Sequence, residues 1–297
     1  MKRINLSLLP VFSLFAVLMI FSCTAPIDIH TRNSEPMVVI YGCLTNEFKT
    51  QYIRVTRSSP YFYDTDNPSI KDAKVKVTSS HGREYIFDND TNGYYVSQRR
   101  FSAAPGVTYR LSVEIDAGDN GKTELYEAET TTLPIVPVDS IDVKTINIMG
   151  FRHYSLVIYM QDPVEMENFY LFKFFINDSI SNDRIGDFLI SSDQMYNGSY
   201  VNGANITFFD DGTDPNVVER NKDNENAFMA KPGDRVRLQI INIEKRYFNF
   251  ISDCKHEKYG ENPFFGGPPS NIYTNLSNGA VGYFSSYCIH EKETVVP

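Results

Sequence analysis

The residues best equipped for chemistry fall in a few short clusters. Asp88-Asn89-Asp90-Thr91-Asn92-Gly93 spaces oxygen ligands at alternate positions and ends in a glycine, like the opening of a calcium loop. Such a loop needs a bidentate glutamate at its twelfth position, and Arg99 stands there instead. A hairpin turn that uses Asn92 and Gly93 for positive φ explains the same residues. Asp210-Asp211-Gly212-Thr213-Asp214 gathers carboxylates in what reads as a solvated acidic turn. His256-Glu257 lacks the second histidine of a zinc-binding helix, and His290-Glu291 sits near the chain end. Glu165 and Glu167 are close in sequence, but acid–base pairs need carboxylates held across a cleft. No Gly-x-Ser-x-Gly elbow, phosphate-binding glycine loop or dinucleotide fingerprint occurs. These residues point to no metal, no cofactor and a protein that is not an enzyme.

The cysteines carry more information, because their chemistry depends on where the chain goes. Lys2 and Arg3 precede an almost purely apolar run from Leu6 to Phe21, which reads as an export leader over residues 1–22. The run is short for a membrane span, and no positive stop-transfer cluster follows it. It ends in Ile20-Phe21-Ser22-Cys23, which resembles a bacterial lipobox: an aliphatic residue three before the cysteine and a small one just before it. Cys23 is therefore the expected lipidation site, and two or three acyl chains anchor a protein stably. Residues 23–36 read as a polar, proline-bounded tether. Four cysteines are too few for a disulfide scaffold of this size. In an oxidising compartment a Cys254–Cys288 bridge is permitted, stabilising by roughly 3–4 kcal/mol. Cys43 would then be a small buried hydrophobe beside Gly42.

The elements that must position these residues are strands. Met37-Val38-Val39-Ile40-Tyr41 is a short β-branched run, and Tyr109, Leu111, Val113 and Ile115 alternate with polar residues in the cleanest two-residue period of the chain. Short strands between turn clusters predict an immunoglobulin-like antiparallel β-sandwich over 37–133. Leu133-Pro134-Ile135-Val136-Pro137 denies ladder hydrogen bonds and marks a boundary. A second, β-rich domain is expected over 138–297. It contains the aromatic run Phe169–Phe175, short strands at Phe188–Ile190 and Ile206–Phe209, and an alternating strand at Asp234–Ile243. It also holds one amphipathic helix, whose apolar face is Ile243, Tyr247, Phe250, Ile251 and Cys254. Between Gly260 and Asn278, Phe264 and Phe265 lie among breakers. They either plug the second core or contact a membrane partner.

Composition excludes some classes. A net charge of −9 opposes nucleic-acid binding, and 42% hydrophobic residues oppose wholesale disorder. With 21 Phe, 19 Tyr and no Trp, the aromatic run reads as core rather than as a sugar platform.

The order of landmarks resembles the DUF4249 family of Bacteroidota outer-membrane lipoproteins. After the lipobox cysteine come Met37-Val38-Val39-Ile40-Tyr41-Gly42, Asp72-Ala73-Lys74-Val75 and Asn92-Gly93-Tyr94-Tyr95. Asp162-Pro163, Glu167-Asn168-Phe169-Tyr170, Asn262-Pro263-Phe264, Thr274-Asn275-Leu276 and Asn278 through Phe284 follow. The resemblance implies no catalytic residues. It implies kinship with proteins encoded beside TonB-dependent outer-membrane transporters. It also places the chain on the outer membrane, on a face that the sequence leaves open. Asp178-Ser179-Ile180 and Asp139-Ser140-Ile141 resemble the short O-glycosylation motif of exported Bacteroidota proteins, with Ser179 the better candidate. The leading expectation is a non-enzymatic accessory to a TonB-dependent transporter. A cell-surface adhesin or structural subunit stands second, and a glycan-binding module or weak hydrolase third.

Overall fold

Alternating burial builds most of the chain into strands. A computed structural model describes residues 36–59, 67–116, 123–164, 166–222, 224, 227–259 and 272–297. The expected leader, nearly all of the tether, Cys23, Glu165, Phe264 and Phe265 lie outside the described residues. In chain order the first strands are β1 (Val38–Thr45), β2 (Tyr52–Arg57), β3 (Lys74–Ser79), β4 (Glu84–Asn89), β5 (Tyr94–Ser97), β6 (Thr108–Asp116) and β7 (Thr123–Thr131). After the proline connector come β8 (Ser140–Ile148), β9 (Phe151–Gln161), β10 (Phe169–Ile176), β11 (Ser179–Ile180), β12 (Leu189–Ser192) and β13 (Tyr200–Asp211). The chain ends with α1 (Pro215–Asn221), β14 (Met229–Ala230), β15 (Arg235–Asn242), α2 (Lys245–Tyr259), β16 (Val281–Tyr287) and β17 (Ile289–Val295). The protein is mostly β, as expected.

The first sheet runs β16-β1-β2-β5-β4-β3-β6-β7. All its pairings are antiparallel except β1 with β16, which is parallel. Its concave face buries Ile40, Ile53, Val55, Tyr95, Leu111 and Val113. Leu276, Ala280 and Phe284 join the same core from the far end of the chain. Gly282 lies so close to β1 that a Cβ there would collide with the Ile40 carbonyl oxygen, and its φ is +108°. Only glycine lets β16 approach.

The two edges of this sheet, β7 and β16, face each other across a seam of side-chain hydrogen bonds. Thr132 and Ser286 share a hydroxyl bond of 2.7 Å, and the Ser286 N–H donates to Thr130 Oγ1 at 3.2 Å. Asn275 behaves like an extra strand residue. It accepts from the Phe284 N–H at 3.0 Å and donates to the Phe284 carbonyl at 2.8 Å. It also reaches the Glu129 carbonyl at 3.1 Å. The sheet thus curls into a barrel-like sandwich without an open edge on this side.

The second half packs the sheet β14-β13-β9-β8 on the sheet β11-β10-β15-β17, with β12 beside β10. Tyr154, Leu156 and Ile158 meet Phe172, Phe174 and Leu238 between them. The other face of β10 and β15 turns Phe169, Leu171 and Ile241 toward Ile243 and toward Tyr247, Phe250 and Ile251 of α2. Burial on both faces explains why β10 reads as a continuous apolar run rather than an alternation.

The unit expected over 37–133 is therefore corrected: its sheet and core are completed by residues 276–287. The chain does leave the first sheet at the proline connector. However, Val136 and Val138 already belong to the second core, and residues 36–297 form one compact unit.

Candidate binding face

Most of the residues singled out by sequence have structural partners. Asp88–Gly93 forms the β4–β5 hairpin, with Asn92 at φ 52° and Gly93 at φ 77°. The acidic turn 210–214 was expected to be solvated, and this is corrected. Asp211 is buried and accepts from Arg152 Nε at 2.7 Å and from the Thr213 N–H at 2.9 Å. Burial pushes its pKa up, but the Thr213 and Arg152 bonds outweigh that and hold it below the usual carboxylate value. Asp210 pairs with His153 at 2.9 Å, and Asp214 caps α1 by accepting from the Asn216 N–H at 2.9 Å. Glu167 pairs with Lys245 at 3.0 Å. Ser179 is exposed at the start of β11, and Ser140 is exposed at the start of β8.

The possible Cys254–Cys288 bridge is not formed: Cys43, Cys254 and Cys288 are free thiols. Cys288 is buried near Tyr109, which belongs to the first barrel's core. Cys254 lies near Tyr41, on the outer face of the same sheet. The sheet stands between the two sulfurs, and a disulfide tolerates no such separation.

That outer face holds the site that sequence reasoning missed. Cross-strand register aligns Tyr283 of β16, Tyr41 of β1, Arg54 of β2 and Tyr94 of β5 in one row. Residues directly opposite on neighbouring strands lie on the same face. At one end of the row α2 covers Tyr283, and Tyr247 shares a hydroxyl bond of 2.9 Å with Tyr41. Burial pushes the Tyr41 hydroxyl well above its ordinary pKa, so it stays neutral. Past the helix the row emerges into solvent. Tyr94 is 41% exposed and Tyr52, one row along, is 48% exposed.

The Arg54 guanidinium lies 5.3 Å from the Tyr94 ring centroid, a cation–π contact. Its Nε has no hydrogen-bond acceptor among the described residues. Tyr41, Cys43, Tyr52, Arg54, Asn67 and Tyr94 border a groove of about 330 Å³. Two exposed phenol rings border the same groove as the half-buried Arg54 guanidinium. The arrangement can hold an aromatic or planar group and a carboxylate or carbonyl oxygen together. One sequence signal existed: the outward residues of β2 are Tyr52 and Arg54, where a purely solvated face would favour Lys, Glu or Thr. Their neighbours could not be read, because β2 pairs with β5 rather than with β3.

Comparisons with known proteins bear on the whole chain. No curated protein sequence matches it. Among solved structures, a two-domain fibronectin type III segment of chicken tenascin is similar at 10% identity. That match covers 70% of this chain and 90% of that one, with a TM-score of 0.19. A family model described as a domain of unknown function, DUF4249, matches residues 24–293. That span takes in both halves of the fold and the strand that ties them together, and the protein belongs to the DUF4249 family.

Proposed function

We propose that this protein is a lipid-anchored outer-membrane protein and a non-enzymatic accessory to a TonB-dependent transporter, which it contacts through the Arg54–tyrosine groove. The observation that carries this reading is the groove in which exposed Tyr52 and Tyr94 stand beside the half-buried Arg54. Tyrosine and arginine are the residue types that dominate the energetic centres of protein interfaces. Here they stand on paired strands of a closed barrel, so little ordering entropy is lost on binding. A lipid on Cys23 would tether the chain just before β1. At about 3.5 Å per residue, the groove would stay within roughly 50 Å of the membrane.

The test is co-purification from native membranes. Arg54→Ala and Tyr94→Ala should each keep the melting temperature and lose a co-purifying barrel protein. Capture of no barrel protein by the wild type, or capture unchanged in both variants, would overturn the reading. The same tyrosine faces favour a second reading as a glycan-binding surface, because phenol rings stack on sugar faces. Glycan-array binding that disappears in Tyr94→Ala would support it.

A further inference from the structure

Strand directions gather three connections at one end of the first barrel. They are residues 46–51 between β1 and β2, 80–83 between β3 and β4, and 98–107 between β5 and β6. Their charged residues are Lys49, Arg83, Arg99 and Arg100 against the single carboxylate Glu47. In a chain of net charge −9, this end reverses the overall sign. Glu47 pairs with Lys49, and Glu84 at the start of β4 pairs with Lys76. Arg83, Arg99 and Arg100 are exposed and have no ion-pair partner among the described residues.

The turns are braced against one another. The side-chain amide of Gln51, 1% exposed, donates to the Glu47 carbonyl at 3.1 Å and to the Phe101 carbonyl at 2.9 Å. Its oxygen accepts from the Thr45 N–H at 3.1 Å. The Phe101 N–H donates to the Lys49 carbonyl at 3.1 Å, and the Phe101 ring stacks on Tyr85 with centroids 3.8 Å apart. The Arg83 N–H donates to Ser79 Oγ at 3.2 Å. On this frame Phe48 is held out in water, 66% exposed, whereas Phe101 in the neighbouring turn is buried. The Arg100 guanidinium lies 5.4 Å from the Phe48 ring centroid. A single exposed apolar side chain is ordinary on a protein surface. Here the ring stands on a braced turn among arginines that no carboxylate holds.

We propose that this end of the barrel docks on an anionic lipid bilayer. Phe48 enters the boundary between headgroups and acyl chains, and Arg83, Arg99 and Arg100 meet the lipid phosphates. That boundary is apolar on one side and negatively charged on the other, which suits an aromatic ring beside basic side chains. A soluble phosphate would engage the arginines and leave Phe48 without a role. The proposal uses no residue of the Arg54 groove, and it rests neither on the transporter reading nor on acylation of Cys23.

The chain has no tryptophan, so Phe48→Trp supplies a lone fluorescent reporter. The test uses the chain from Thr24 onward, which keeps the whole compact unit of residues 36–297 and lacks the apolar run and Cys23. With vesicles of phosphatidylethanolamine and phosphatidylglycerol, the emission should shift to the blue and be quenched by lipids brominated on the acyl chain. Phosphatidylcholine vesicles should produce neither change. In co-sedimentation with the anionic vesicles, Arg99→Gln combined with Arg100→Gln should weaken binding about 25-fold. Phe48→Ser should weaken it about 10-fold, and both variants should keep the melting temperature. Raising the salt to about 1 M should remove the arginine contribution. Lys74→Gln, which removes an exposed cation at the far end of β3, should have no effect. No blue shift on anionic vesicles, equal binding to phosphatidylcholine, or a loss in Lys74→Gln as large as in the arginine variant would each overturn the proposal.

Discussion

In the first barrel the edge strands β7 and β16 meet and are stitched by side chains, whereas in the second sandwich β12 and β13 stay apart around a cavity. The two halves share an architecture of twisted antiparallel strands, yet they leave room in different places. The closed barrel fills its interior with Ile, Val, Leu and Tyr, which leaves only its outer face and its ends for a partner. The open sandwich keeps room between its sheets. Closure of an edge therefore decides whether the same layers present a surface or an interior.

The largest expected effect follows from removing the closure altogether. A fragment covering 37–133 lacks β16 and the Leu276–Phe284 contribution to the core, so β1 keeps an unpaired edge. It should show no cooperative thermal transition, although its own strand pattern suggests an independent domain. A cooperative transition would mean that the seam is dispensable. A smaller effect is expected from Asn275→Ala. It leaves both polar groups of Phe284 and the Glu129 carbonyl without their partner, and should cost about 1–3 kcal/mol in urea unfolding. Loss below about 0.5 kcal/mol would show that water replaces the stitch at no cost.

The smallest effect concerns the closed side of the second sandwich. His290 of β17 approaches the backbone of Val138 just before β8, and its Nε2 is buried without a partner among the described residues. Burial, then the nearby Lys292 charge, lowers its pKa from the ordinary 6.5. The unfolded chain therefore binds this proton at higher pH than the folded one does. Stability should be full above about pH 6.5 and decline as the pH falls toward the lower folded value. A His290→Gln variant should flatten that part of a melting-temperature profile. An unchanged slope would clear His290 of the effect.

Local pattern carried much of the strand content. Tyr109, Leu111, Val113 and Ile115 all point into the first core, as their alternation requires. The helical face Tyr247, Phe250, Ile251 is buried in α2, with Ile243 just ahead of the helix. What the sequence hides is non-local. Nothing around Val281–Phe284 says that this strand lies parallel to β1. The sequence places Gly282 in a strand but gives no reason for a glycine there until the Ile40 carbonyl is seen beside it. The acidic turn looked solvated because Arg152 and His153, which pair with it, come from a different strand. The two short strands expected near Phe188 and Ile206 became β12 and the much longer β13. The double bulge beside the cavity starts at Asn202–Ala204, ahead of the strand expected at Ile206–Phe209, and runs into it.

The parallel pair of β1 and β16 also sets an order of events in time. Val39 lies beside Val281, so one of the first strands to be synthesised waits for one of the last. Closing a loop of that length costs entropy before any contact repays it, and folds dominated by such contacts form slowly. Until residue 287 has been added, the growing chain exposes the Val38–Thr45 edge with no neighbour on one side. A chain halted short of that point is open to pairing with a second copy of itself, so the protein's exposure to aggregation is governed by the arrival of its own C-terminal strand.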